Sequence, residues 1–104
     1  MIRITAIYNE TDELCGFRSE GHAGLDKKGK DILCAGVSAL TLNCVNSVEA
    51  FTKDRFSCKE EDGLLEFIIV SDVSKESSLL LDSLFLGLKS IADEYGDRFI
   101  KLTI

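Results

Sequence analysis

The chain carries one histidine, His22, and four cysteines, Cys15, Cys34, Cys44 and Cys58. A thiol and an imidazole are the working parts of a nucleophilic hydrolase. The thiolate attacks a carbonyl carbon; the imidazole takes the thiol proton and later gives it to the leaving amine. His22 and Cys34 are the pair whose surroundings favour this chemistry. Asp31, three residues before Cys34, reads as the N-cap of a long helix. Cys34 would then be the third helical residue, among unpaired backbone N–H groups at the positive end of the helix dipole. Such a position stabilises a thiolate, and the same N–H groups would stabilise an oxyanion. His22 stands at the end of a strand. Gly24 and Gly29 give the intervening chain freedom to join the two groups and to close over an extended substrate.

Each of these residues also has a plainer role. A cysteine early in a helix is more often a small buried hydrophobe, and a histidine at a strand end is often structural or solvated. Capping alone accounts for Asp31, so a catalytic part for it is the weaker reading. Ser38, one turn beyond Cys34 on the same face, lines a cleft or fills space equally well. Cys44 falls in an apolar helical stripe, and Cys15 and Cys58 fall in strands with no cationic or helix-end environment. With one histidine and no C-x-x-C pair, the sequence predicts no metal site and no cofactor.

The elements that must position these residues follow from periodicity. Ile2 to Tyr8 alternates and is rich in β-branched residues, as a strand does. Leu14 to Gly21 is a second strand, and Gly16 within it marks a bulge or a close approach of backbone. Ala23 to Lys30 reads as a loop. From Ile32 to about Lys53, Leu33, Val37, Leu40, Cys44, Val48 and Phe51 form one helical stripe. Arg55–Glu60 and Leu64–Val70 are strands joined at Glu61-Asp62-Gly63. A second helix over Leu79–Tyr95 has Leu80, Leu84, Leu88, Ile91 and Tyr95 as its stripe and Gly96 as its stop. Arg98 to Ile104 closes the order β-β-α-β-β-α-β. The expectation is an α+β fold in two layers, a mixed five-stranded sheet carrying two helices, with 1–104 as one domain.

Composition narrows the classes further. Lys plus Arg is 12 against 18 for Asp plus Glu, a net charge of -6. Direct nucleic-acid binding needs clustered cations and is disfavoured, whereas a basic partner would be attracted. No signal peptide is apparent, and no window reads as long and apolar enough to span a membrane, so the cytoplasm is the expected location. Leu79, Leu81, Phe85 and Leu86 lie outside the main stripe of the second helix. They offer more apolar surface than one sheet face needs, which predicts a homodimer.

Gly16-Phe17, Gly21-His22-Ala23 and the run Asp31-Ile32-Leu33-Cys34-Ala35-Gly36-Val37-Ser38 together resemble the ribosomal-processing cysteine protease family, Prp. The resemblance covers essentially the whole chain. It implies a homodimeric peptidase that removes the N-terminal extension of a large-subunit ribosomal protein, the twenty-seventh. The family's catalytic residues fall on His22 and Cys34, its acidic residue on Asp31 and its helix serine on Ser38. Gly21, Gly24 and Gly29 join Ser38 as the expected peptide-binding positions. Two other readings remain open on the residues alone. One is a non-catalytic module that docks on a ribosomal component during assembly. The other is a thiol redox sensor, disfavoured because no partner cysteine lies near Cys34 in sequence.

Overall fold

Alternation in Ile2-Arg3-Ile4 turns the two isoleucines to one side of a strand, and both are buried. The structure, a computed structural model, describes residues 1–21 and 27–104, and the side chains of all of these except 27–31. Its elements are β1 (Ile2–Tyr8), β2 (Leu14–Glu20), α1 (Lys27–Phe51), β3 (Phe56–Glu61), β4 (Leu64–Ile69), α2 (Lys75–Tyr95) and β5 (Ile100–Thr103). The order and the α+β class are those the sequence predicts.

The five strands form one sheet in the order β3-β4-β2-β1-β5. The pairs β1/β2, β2/β4 and β3/β4 are antiparallel, and β1/β5 is parallel, which makes the sheet mixed. Strand registers place Ile4, Ser19, Leu65 and Glu60 in one cross-strand row and Ala6, Phe17, Phe67 and Cys58 in the next. Phe17 and Phe67 are fully buried, and their rings lie 5.7 Å apart. Gly16 fulfils both expectations for it. The β1/β2 register slips between Ile7 and Tyr8, opposite Gly16 and Leu14, and a Cβ on Gly16 would collide with the Phe67 carbonyl oxygen.

The helices cover one face. Leu33, Val37, Cys44, Val45 and Val48 of α1 meet Leu81, Leu84, Phe85 and Leu88 of α2 and Ile2, Ile4, Phe17, Phe67 and Ile100 of the sheet in one core. Leu81 and Phe85 thus belong to the core and not to a surplus apolar surface. The buried stripe of α2 is wider than the predicted one because the helix packs on both the sheet and α1. Leu79 and Leu86, two turns apart, stay exposed.

Three further expectations are corrected. Helix α2 begins at Lys75, a turn earlier than the apolar run, because Ser74 caps it by accepting a hydrogen bond from the Ser77 N–H. Helix α1 begins at Lys27 rather than Ile32, so Asp31 is its fifth residue and not its N-cap. Nothing in Lys27-Lys28-Gly29-Lys30 forbids a helix, since Gly29 costs only about 1 kcal/mol there. Lastly, Ile32–Phe51 within α1 reaches a mean hydropathy of 1.3, so one span is long and apolar enough to cross a membrane by length and composition. Leucine, valine, alanine and cysteine carry that value, and the inward members of the span pack on the sheet.

Candidate active site

Strand β2 ends at Glu20 beside the β3/β4 turn, and α1 passes over this end of the sheet. Between them lies an open cleft of about 200 Å³. Helical spacing gives its upper wall, where Cys34, Val37, Ser38, Thr41 and Leu42 share a face of α1. The sheet supplies Ile2, Ser19, Gly21, Glu60, Glu61, Gly63, Leu64 and Leu65. Cys34 is half-buried there and Ser38 is exposed. Thr41 is buried with its hydroxyl satisfied, donating to the Val37 carbonyl oxygen at 2.9 Å.

Gly21 joins the two strand systems of the cleft. Its N–H donates to the Gly63 carbonyl oxygen at 2.8 Å. Its φ of +88° is one that side chains resist, and a Cβ would run into the Met1 carbonyl oxygen. Gly63, φ +73°, makes the turn that brings β4 back along β3.

The structure therefore brings together three sequence-predicted residues, Cys34, Ser38 and Gly21. His22 and Gly24 lie outside the described residues. Gly29 and Asp31 are in the first two turns of α1, and the Asp31 side chain lies outside the description. Because α1 starts at Lys27, Cys34 is its eighth residue, about two turns in. The unpaired N–H groups of the helix start belong to the turn before Asp31, so the predicted helix-end surroundings of Cys34 are not those of this structure.

The other three thiols differ among themselves but share one direction. Burial pushes Cys44 up to about 11. Burial raises Cys15 too, and the charge of Glu13 adds to it. Cys58 is on the exposed edge strand, yet partial burial and the neighbouring Glu60 carboxylate both raise it. All three are held as thiols at neutral pH. Among the described residues, Cys34 is the one cysteine that lines the cleft.

A model of the cysteine protease Prp family matches residues 1–101. The chain belongs to that family. The ribosomal processing cysteine protease Prp of Staphylococcus aureus is 29% identical over 100 residues, 94% of each chain. That of Bacillus subtilis is 26% identical over 104 residues, covering 94% of this chain and 93% of its own. Crystal structures of the S. aureus Prp, one with a substrate peptide and one with a covalently linked product peptide, match with a TM-score of 0.87. They show 28% identity over 99% of this chain and 98% of theirs. A crystal structure of a Streptococcus mutans protein matches at TM-score 0.76 and 31% identity, covering this whole chain and 93% of the other.

Sequence reasoning missed most of the sheet half of this cleft: Ser19, Glu60, Glu61, Leu64 and Leu65. A signal was present. Period-two alternation puts Ser19 on the Phe17 side of β2 and Glu60 on the Phe56 side of β3, so both are polar residues at inward positions. Such misfits mark either a packing fault or a place kept for a ligand.

Proposed function

We propose that this Prp-family chain is an endopeptidase that removes the N-terminal extension of the twenty-seventh large-subunit ribosomal protein. Cys34 is its nucleophile and His22 its base. The observation that carries the reading is the seat of Cys34, half-buried in an open cleft, in a chain of a cysteine protease family. His22 is bonded directly to Gly21, which lines that cleft. In the first step the Cys34 sulfur attacks the scissile carbonyl, its proton passes to His22, and the same proton leaves with the amine as the peptide bond breaks. Water then attacks the thioester, giving its proton to His22. The acid product leaves, and the sulfur regains a proton.

Ser38 and Gly21 border the reacting sulfur and are assigned to peptide binding; Gly24 and Gly29 join them as the glycines between His22 and Cys34 that let the chain close over a substrate. Asp31 keeps a proposed part in orienting His22 or the substrate, without the capping role. We place the enzyme in the cytoplasm, where its substrate is made, and read it as a homodimer; the exposed Leu79 and Leu86 of α2 support that state.

The test is cleavage of a peptide spanning the extension, followed by mass spectrometry. The wild type should cut it at one bond. Cys34→Ala and His22→Ala should lower kcat/KM by at least about a thousand-fold. Full activity of Cys34→Ala would refute the mechanism. A wild type that leaves the extension intact while cutting other peptides would refute the substrate.

A further inference from the structure

We infer that Glu60 is a specificity-determining residue, pairing with a lysine or arginine side chain of the peptide close to the scissile bond. This rests on the peptidase reading above and adds a substrate preference to it.

Glu60 is the last member of the cross-strand row Ile4, Ser19, Leu65, Glu60, on the face of the sheet that carries the helices. Its position on β3 shares a side with Phe56, which packs against the core. An inward place on a strand normally takes an apolar residue. Here β3 is the sheet edge, and the far end of the row opens into the cleft of Cys34 instead of into the core. Glu60 therefore faces the same space as the nucleophile.

No cation answers it among the described residues. Arg18 pairs with Glu20 and Glu66, and Lys59 pairs with Glu61 at 3.5 Å. Apart from Glu61, which Lys59 pairs, the rest of the described cleft wall is apolar or neutral, with Val37, Leu42, Leu64 and Leu65 nearest in kind to a hydrophobic seat. A carboxylate beside low-polarity walls, with no counter-charge, attracts a cation more strongly than one in open water and repels an anion. Glu61 does not share this role, because Lys59 already holds it and its position turns to the other side of the strand.

Inward charges on edge strands also serve to block edge-to-edge aggregation, so the experiment must separate the two roles. The full-length protein is assayed on peptides that keep the cut bond and carry lysine, glutamine or glutamate in turn at each of the four flanking positions on either side. In the wild type, kcat/KM should favour lysine over glutamine by about two- to five-fold at one position or two adjacent ones, as an exposed ion pair would give. Glutamate there should be the poorest. The preference should shrink with added salt, since the Debye length falls from about 10 Å at 0.1 M to about 3 Å at 1 M. Glu60→Gln should bring the lysine and glutamine peptides to equal kcat/KM, read as their ratio within the variant. Glu60→Lys should make the glutamate peptide the better substrate.

A lysine preference that survives both substitutions overturns the inference and leaves the peptidase reading standing. So does aggregation of the variants with selectivity unchanged. A wild type that cuts none of the peptides ends both.

Discussion

The two ends of the sheet handle their polar groups differently. At the end away from the cleft, Asn9 Oδ1 accepts from the Thr11 and Glu13 N–H groups and the Thr11 hydroxyl, at 2.9–3.0 Å. Asp54 accepts from the Ser74 N–H at 2.9 Å and from its hydroxyl at 2.7 Å, and Ser71 accepts from the Arg55 N–H at 3.0 Å. These groups close on one another and fix the loops. At the cleft end, the side chains of Cys34, Ser38, Ser19 and Glu60 have no hydrogen bond or ion pair among the described residues. Among the described residues, the named polar groups at the far end are paired with one another, and these four side chains at the cleft end are not. A free polar group at the mouth of a cleft is available to a ligand, whereas a satisfied one mainly stabilises the fold.

The sharpest way to break that comparison is to react the four thiols. Iodoacetamide at neutral pH should modify Cys34 first, at least about ten-fold faster than Cys15, Cys44 or Cys58, which are held as thiols by burial and by neighbouring carboxylates. Rates read by peptide mapping decide it. Cys58 is the informative control, because it is exposed yet lies beside Glu60. Faster labelling of Cys58 than of Cys34 would mean that exposure alone sets reactivity. Cys58→Ser should leave peptide cleavage within about two-fold of wild type, since Cys58 does not line the cleft and the change is small and exposed.

Next in size is Gly21→Ala. The backbone there has φ +88°, and the new Cβ meets the Met1 carbonyl oxygen, so about 1–3 kcal/mol of stability should be lost. Because Gly21 borders the cleft and precedes His22, cleavage should fall further than the lost folded fraction explains. The measurement is kcat/KM normalised to the folded fraction from urea melts. A loss of stability with unchanged normalised activity would make Gly21 a purely structural glycine.

How far this could be read from the sequence depends on how local each signal is. The strand Ile2–Tyr8 and the stop at Gly96 are set by residues a few positions apart, and both lie where periodicity puts them. Cys34 and Ser38 share a helix face by spacing alone, which made the helix half of the cleft legible. The start of α1 was not. Asp31 fits a cap, yet aspartate inside a helix costs less than about 1 kcal/mol relative to alanine, so residue type did not decide between Lys27 and Ile32. The sheet half was hidden for another reason. Only when β4 is placed beside β2 do Leu65, and Glu60 beyond it, join Ser19 in one row, and that pairing joins residues more than forty positions apart.

The smallest expected effect probes the satisfied end. Asp54 holds Ser74, the cap of α2, so Asp54→Ala should cost about 1 kcal/mol at neutral pH, the usual worth of a cap. Its acid dependence has a definite sign. Burial alone would raise the Asp54 carboxyl, but hydrogen bonds from serines, Ser74 among them, outweigh it and hold the group below its ordinary 3.8. A carboxyl depressed on folding adds stability that is fully present above the unfolded value and disappears as pH falls through the folded one. The gap between wild type and Asp54→Ala in urea melts should therefore be constant from neutral pH down to about pH 5 and narrow below pH 4. At each pH the folded fractions of Asp54→Ala and wild type should cleave at the same rate, because Asp54 and the cleft lie at opposite ends of the sheet. A gap that widens in acid would show that the carboxyl is protonated more readily in the folded protein, and the network at this end would then be a strain on the fold.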